Sequence, residues 1–213
     1  MKDEHNIDLF GEEVVEHRRR DWTGNQSGVF SVIGASNHSL SERQADDFYA
    51  TSPAAVEMLL EKETFSHKIL EPCAGIGHIS KVLEAHGYEV DSRDLIDRGY
   101  CRGGMDFLKC TDKNLPISIV SNPPYRYAQE FVEKGLDVVA EGCKCAWFMK
   151  LTFLEGKNRR KMFEKFPPRV VYVSSSRLTC GKNGVEWMPS CICYAWFVWE
   201  KGFCGDPIIK WFN

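Results

Sequence analysis

Asn122-Pro123-Pro124-Tyr125 sets two hydrogen-bond acceptors and an aromatic ring on one short, stiff stretch of backbone. Proline fixes its own φ and pushes the residue before it out of the helical region. Asn122 and Pro123 are both followed by proline, so the chain must run extended here. Pro123 has no N–H but keeps its carbonyl, which joins the Asn122 side-chain oxygen as an acceptor. Two adjacent acceptors suit a planar amino group with two hydrogens, and the Tyr125 ring stands close behind them. Accepting both hydrogens favours a pyramidal nitrogen whose lone pair can attack an electrophile. Preorganised dipoles then stabilise the developing charge, and positioning removes much of the entropic barrier. No strong base is required, so a neutral Asn serves.

A second group of residues lies upstream. His67-Lys68-Ile69-Leu70-Glu71 reads as a short apolar strand running into an acid, followed by Pro72-Cys73-Ala74-Gly75-Ile76-Gly77. Glycines at such a turn let backbone approach a ligand closely. Residues 79–86 then have helical spacing and stop at Gly87. Residues 88–94 read as a second strand ending at Asp94, where a carboxylate is well placed for ribose hydroxyls. Asp106-Phe107-Leu108 follows, and Tyr49-x-Thr51-x-Pro53 precedes the whole set, with Ser52 as N-cap and Pro53 as first residue of a helix over 53–62. The Gly75-x-Gly77 turn lacks the third glycine of a dinucleotide fingerprint, which argues against NAD.

Taken together, these motifs resemble the amino-methyltransferases that use S-adenosylmethionine, whose signatures are Asp/Asn/Ser-Pro-Pro-Tyr/Phe/Trp and Asp/Glu-x-x-x-Gly-x-Gly. The resemblance spans residues 46–200 and is closest to small phage- and prophage-type DNA adenine-N6 methyltransferases. It implies a catalytic set of Asn122, Pro123, Pro124 and Tyr125 that grips and stacks on a flipped adenine. It implies a cofactor site built from Tyr49, Thr51, Glu71, Cys73, Gly75, Gly77, Asp94, Asp106, Phe107 and Asn122. In it the glycines pass under the amino-acid part of S-adenosylmethionine, Asp94 holds the ribose, and Asp106 and Phe107 meet the adenine. The product is S-adenosylhomocysteine, and no metal is expected.

The elements around these motifs alternate strand and helix. Residues 117–121 read as a buried strand delivering Asn122, 128–140 as a helix, and 145–150 as another buried strand. A helix ending before Pro167-Pro168 and a closing hairpin of strands 169–174 and 191–199 complete the set. The fold class is therefore α/β, a Rossmann-like class I methyltransferase sheet. It is expected to have seven mostly parallel strands, one antiparallel strand near the C-terminus, and helices on both faces. The chain has 213 residues, 43% hydrophobic and 27% charged, enough for one sizeable core. Residues 46–213 form that domain; 1–45 are polar, with His17-Arg18-Arg19-Arg20 among acids, and read as a flexible arm.

No apolar run approaches the roughly 20 residues that span a bilayer. The N-terminus does not read as a signal peptide, and a cytoplasmic protein is expected. Nine cysteines in such a chain are expected as free thiols. Cys143-x-Cys145 and Cys191-x-Cys193 have the spacing of strand residues sharing a face rather than of a zinc site.

The net charge of -3 argues against a strongly basic surface but leaves room for a local groove. Lys157, Arg159, Arg160 and Lys161 follow the 145–150 strand and are candidate phosphate contacts. The long loop 175–190, with Arg177, Lys182, Asn183 and Trp187, is the candidate for gripping the target base. DNA is the expected partner, bound by a monomer or weak homo-oligomer. The same chemistry on RNA adenine or a protein glutamine amide is the alternative, and a non-catalytic binding subunit is the alternative of another class.

Overall fold

A computed structural model describes residues 49–176, 180–182 and 192–212. The N-terminal arm, Arg177, Asn183, Trp187 and Cys191 lie outside these residues, as do the side chains of Tyr49 and Lys182.

Nine strands and four helices follow one another in the order β1 (Tyr49–Thr51), α1 (Pro53–Leu60), β2 (Lys68–Glu71), α2 (His78–Ala85), β3 (Glu89–Ser92), β4 (Ser118–Ser121), α3 (Ala128–Val138), β5 (Lys144–Lys150), α4 (Lys157–Lys165), β6 (Val170–Ser174), β7 (Cys180–Lys182), β8 (Tyr194–Glu200) and β9 (Ile208–Phe212), counting the described residues. Seven strands make one sheet in the order β3-β2-β4-β5-β8-β6-β9. β3, β2, β4 and β5 run parallel, and β8 runs antiparallel to both β5 and β6. The expected seven-stranded, mostly parallel sheet with one reversed strand near the C-terminus is present.

Strand alternation explains how both faces are covered. Ile69, Val120, Ala146, Phe148, Trp196 and Val198 point to the face that packs on α1 and α2. Leu70, Ile119, Cys145, Trp147, Phe197 and Trp199 point to the face that packs on α3 and α4. A strand apolar on both faces is one buried on both faces, which is why β5 and β8 read as unbroken apolar runs. Trp147, Trp196 and Trp199 are all fully buried, and truncating any of them would cost about 3–5 kcal/mol.

Four details depart from expectation or add to it. Ser52 precedes α1, but its hydroxyl makes no capping bond. The Asp106 segment opens a single 3-10 turn, Phe107–Lys109, whose Leu108 N–H donates to the Asp106 carboxylate. β8 begins at Tyr194, so Cys193 lies exposed before it rather than inside a strand. Finally, β9 was not foreseen: it pairs parallel with β6 and forms the sheet edge, with Ile208, Ile209 and Trp211 exposed.

The amino-terminal rim of the sheet is pinned by charge. Glu63, buried after α1, accepts from Lys144 at 2.7 Å, from Tyr172 at 2.6 Å and from Arg169. Burial pushes the Glu63 carboxyl up, but the bonds from Lys144 and Tyr172 and the charges of Lys144 and Arg169 outweigh it and hold it below its ordinary range. No helix among the described residues is long and apolar enough to cross a membrane.

Candidate active site

The carboxyl-terminal ends of β2, β3 and β4 open onto one cavity of about 670 Å³. Small-molecule sites run from about 300 to 1,000 Å³. The site begins at the glycine turn. Gly75 and Gly77 hold φ of 58° and 80°, which a side chain would strain. Gly77 has a second constraint: a Cβ there would fall 2.4 Å from the Tyr100 ring, which lies across the turn. Lys81 steadies both, donating to the Ile76 carbonyl at 3.0 Å while its ammonium sits 5.0 Å from the Tyr100 ring centre.

Asp94 ties the turn to the end of the neighbouring strand. Its carboxylate accepts the Gly75 N–H at 2.8 Å and the Ile96 N–H at 2.9 Å, and it lines the cavity. Glu71 lines the same wall at only 1% exposure. Its one hydrogen-bonding side chain among the described residues is Ser80, which donates to Oε2. Buried without a cation, its carboxyl is pushed up to about 8, and the nearby Asp94 and Glu84 charges add to the rise. Burial likewise pushes the Cys73 thiol up, with Asp94 and Glu71 adding to it. Such a thiol is inert wall, not nucleophile. His78, at the start of α2, is held below its ordinary range by burial and by Lys81.

The opposite wall is apolar. Phe107 packs on Phe131 at 5.3 Å between ring centres and on Trp147 at 6.3 Å, and both Phe107 and Phe131 line the cavity with Asp106. Asp106 also reaches Lys109 at 3.2 Å.

Asn122 enters this cavity from the end of β4. Its Nδ2 donates to Thr51 Oγ1 at 3.1 Å, which sets the rotation of the amide and turns its oxygen away from Thr51. Thr51 is itself buried on β1, and β1 pairs antiparallel with β7, Ala50 opposite Gly181. The long loop therefore returns to the site through β7, a pairing the sequence did not reveal. Tyr125 stands outside the cavity in the turn Tyr125–Tyr127. Its ring faces Tyr194 at 6.0 Å, and the Lys150 ammonium lies 5.1 Å from its centre. Tyr194 stacks in turn on Phe148 at 5.3 Å and 17°.

Of the residues expected at the cofactor site, Thr51, Glu71, Cys73, Asp94, Asp106, Phe107 and Asn122 line this one cavity, and Gly75 and Gly77 form the turn beside it. Tyr49 places its backbone in β1, next to lining residue Ala50. The sequence missed Tyr100, Ile96, Arg126, Tyr127 and Phe131. Arg126 and Tyr127 could have been found from their position directly after the Pro-Pro-Tyr stretch.

The basic cluster is divided. Arg159 donates to the Thr152 carbonyl at 3.3 Å and to the Glu155 carbonyl, and lies 4.8 Å over the Phe153 ring. Arg160 pairs with Glu164 at 2.7 Å. Both serve their own helix and loop, whereas Lys157 and Lys161 are exposed. Lys182 sits in β7, and Arg177 lies outside the described residues.

No family profile matches the chain, and no curated protein matches it in sequence. Solved structures do share its fold. A protein of Listeria monocytogenes described as a class I S-adenosylmethionine-dependent methyltransferase matches with a TM-score of 0.52 at 10% identity, over 86% of this chain and 70% of its own. A protein of Pyrococcus horikoshii described as an RNA methyltransferase gives 0.50 at 13% identity, over 70% of this chain and 84% of its own. A protein of Lactococcus lactis described as a haemolysin gives 0.54 at 11% identity, over 74% and 91%. At these identities the likeness establishes the Rossmann-like sheet of class I methyltransferases; activity must come from the site itself.

Proposed function

We propose that this protein transfers a methyl group from S-adenosylmethionine to the exocyclic N6 amino group of adenine in DNA. The observation that carries the reading is Asn122. The same residue belongs to the acid-walled cavity and to the Pro-Pro-Tyr loop, so a ligand in the cavity and a planar group on the loop would meet at its amide.

The cavity suits the cofactor by its donor set. Glu71 and the turn around Gly75 and Gly77 offer a carboxylate and close backbone to a cationic amino-acid end. Asp94 keeps acceptor capacity for a ribose diol, since each oxygen now takes one backbone N–H. Asp106 and Phe107 offer an acceptor and an apolar face to a purine. When bound, S-adenosylmethionine supplies an electrophilic methyl carried by a sulfonium.

The chain's own residues do the rest. Thr51 holds the Asn122 amide so that Oδ1 and the Pro123 carbonyl can accept the two hydrogens of the target amino group. The nitrogen lone pair is thereby withdrawn from the ring and directed to the cavity. Tyr125, braced by Tyr194, stacks on the base, and such stacking is worth about 1–3 kcal/mol against the few kcal/mol needed to flip it from a duplex. Lys150, beside that ring at 5.1 Å, gives the acceptor side a positive charge suited to a nucleotide's phosphate. Lys157 and Lys161, exposed on the helix that follows β5, add to that charge. This aromatic and basic surrounding favours a nucleobase over a glutamine amide, and it accommodates an RNA adenine as well as a DNA one.

The test is transfer of labelled methyl from S-adenosylmethionine by the purified full-length protein, offered DNA, RNA or protein. Label in DNA, released on digestion as N6-methyladenine, is the expected result. Label confined to RNA or protein would move the reading to that acceptor. Cofactor binding with no transfer to any of the three would leave a binding subunit.

A further inference from the structure

Glu71 is a buried carboxylate in a cavity wall with no ion-pair partner among the described residues, and it begins a line of hydroxyls. Ser80 donates to Glu71, and the Ser80 and Ser92 hydroxyls are 2.6 Å apart. The Tyr100 hydroxyl interacts with both serines and donates to Glu84 Oε1 at 3.3 Å. Glu84 is exposed on α2. The line therefore has a carboxylate at each end, one in the cavity wall and one at the surface, with three hydroxyls between.

Such a chain has two complete polarities. With Glu71 protonated, each hydrogen points outward, from Glu71 to Ser80, Ser92, Tyr100 and the Glu84 carboxylate. With Glu71 ionised, each points inward, from Tyr100 to Ser92, Ser80 and Glu71. Ser80 and Ser92 each give one hydrogen and take one in either state, and Tyr100 gives one in both, so no donor is stranded by the reversal. A cationic ligand selects the inward state, because an unpaired buried carboxylate is costly and a paired one is not.

We propose that uptake of a cationic cofactor in this cavity expels one proton from Glu71 along Ser80, Ser92 and Tyr100 to solvent, which makes Tyr100 a positioning residue of the cofactor site. Atoms and charge balance: the O–H bond of Glu71 breaks, each hydroxyl accepts one proton and passes one on, and the surface end releases one. Arg98 lines the same cavity, but the groups that act on the Glu71 carboxyl are Ser80, Asp94 and Glu84. Asp94 and Glu84 are anionic, Cys73 is a buried thiol, and burial and Lys81 hold His78 below its ordinary range. The Tyr100 ring adds a second tie, since it lies on Gly77 and fixes the turn beside which the cationic end would sit.

This inference rests on the cofactor reading above, and calorimetric titration of the full-length protein with S-adenosylmethionine separates the two. Titrations in two buffers of different ionisation enthalpy at pH 7 count the protons released. The wild type is expected to release nearly one, and its affinity to rise about tenfold per pH unit between pH 6 and 7. Above pH 8 the cofactor's own ammonium loses its proton, so the informative window ends there. Glu71→Gln should release almost none and lose the pH dependence. Tyr100→Phe keeps the ring on Gly77 but removes the last hydroxyl, so the rise in affinity should move to higher pH. It should bind about threefold more weakly at pH 7, with its Tm close to wild type. Wild-type binding without proton release would overturn the proposal while leaving the cofactor reading intact. Tyr100→Phe matching wild type at every pH would overturn the relay. No wild-type binding at all would sink the cofactor reading itself.

Discussion

Two buried glutamates, at opposite rims of one sheet, are held in opposite ways. Glu63 at the amino-terminal rim is surrounded by Lys144, Arg169 and Tyr172 and stays ionised. Glu71 at the carboxyl-terminal rim has one serine and two nearby anions, and its carboxyl is pushed up to about 8. A closed set of partners is what stability requires; a charge left without its partner is what a binding site requires. The same residue type at similar burial thus marks a pin in one place and a receptor in the other. The difference lies in the cations within reach.

The two settings carry opposite pH signatures. Glu63, held below its ordinary range, contributes stability that is present above the unfolded carboxylate pKa and lost as pH falls through its folded value. Glu71, raised to about 8, does the reverse: its contribution is present in acid and lost as pH rises toward 8. The largest expected effect follows. Between pH 5 and pH 8 the cofactor-free wild type should lose about 3 kcal/mol of stability that Glu71→Gln does not lose. Denaturant melts of both proteins at the two pH values check this, and parallel pH profiles would mean that Glu71 is ionised throughout.

Breaking the other rim gives a similar loss without a functional signature. Glu63→Ala leaves Lys144 and Arg169 facing each other without their carboxylate. Because Arg169 is about a third exposed, the cost should sit near the lower end of the 3–5 kcal/mol for broken buried pairs, about 3 kcal/mol. The Tm should fall by about 10 °C. Cofactor affinity of the folded fraction should stay within about twofold. If affinity fell with stability, the rims would not be independent.

Much of the carboxyl-terminal rim was legible because its signals are local. Glycines at a turn, an acid at a strand end and a Pro-Pro pair after an apolar run each act through their nearest neighbours. So the Gly75 turn, Asp94 and Asn122 could be placed, and the cavity brings them together. What escaped depends on distant pairing. Tyr100 reads as one aromatic in a polar loop, and only the folded chain lays it on Gly77. β9 follows Gly205-Asp206-Pro207 and finds a parallel partner in β6 across a crossover the sequence does not advertise. β7 sits inside a loop whose composition gives no strand signal, and its partner β1 is far along the chain. Glu63 looks like any helix-end acid until Lys144 arrives from β5 and Arg169 from the residue just before β6.

Two further variants sharpen the contrast at the reacting end. Asn122→Ala should lower kcat by at least about 100-fold, near 2.7 kcal/mol, while cofactor Kd moves only a few-fold. Collapse of binding together with rate would make Asn122 a structural residue. Tyr125→Ala should lose about tenfold to a hundredfold in kcat/KM, matching about 1–3 kcal/mol of stacking, again with cofactor binding retained. Unchanged turnover would remove Tyr125 from the base pocket. Both losses should leave the Tm near wild type, unlike Glu63→Ala.

The most direct test of the central claim is nucleoside mass spectrometry of DNA from a bacterial host that lacks adenine methylation, expressing either the wild-type chain or Asn122→Ala. N6-methyladenine in DNA with the wild type, and none with the variant, is the result expected of an adenine methyltransferase acting through Asn122. DNA without N6-methyladenine in both strains, from a folded protein shown to bind S-adenosylmethionine, would contradict it.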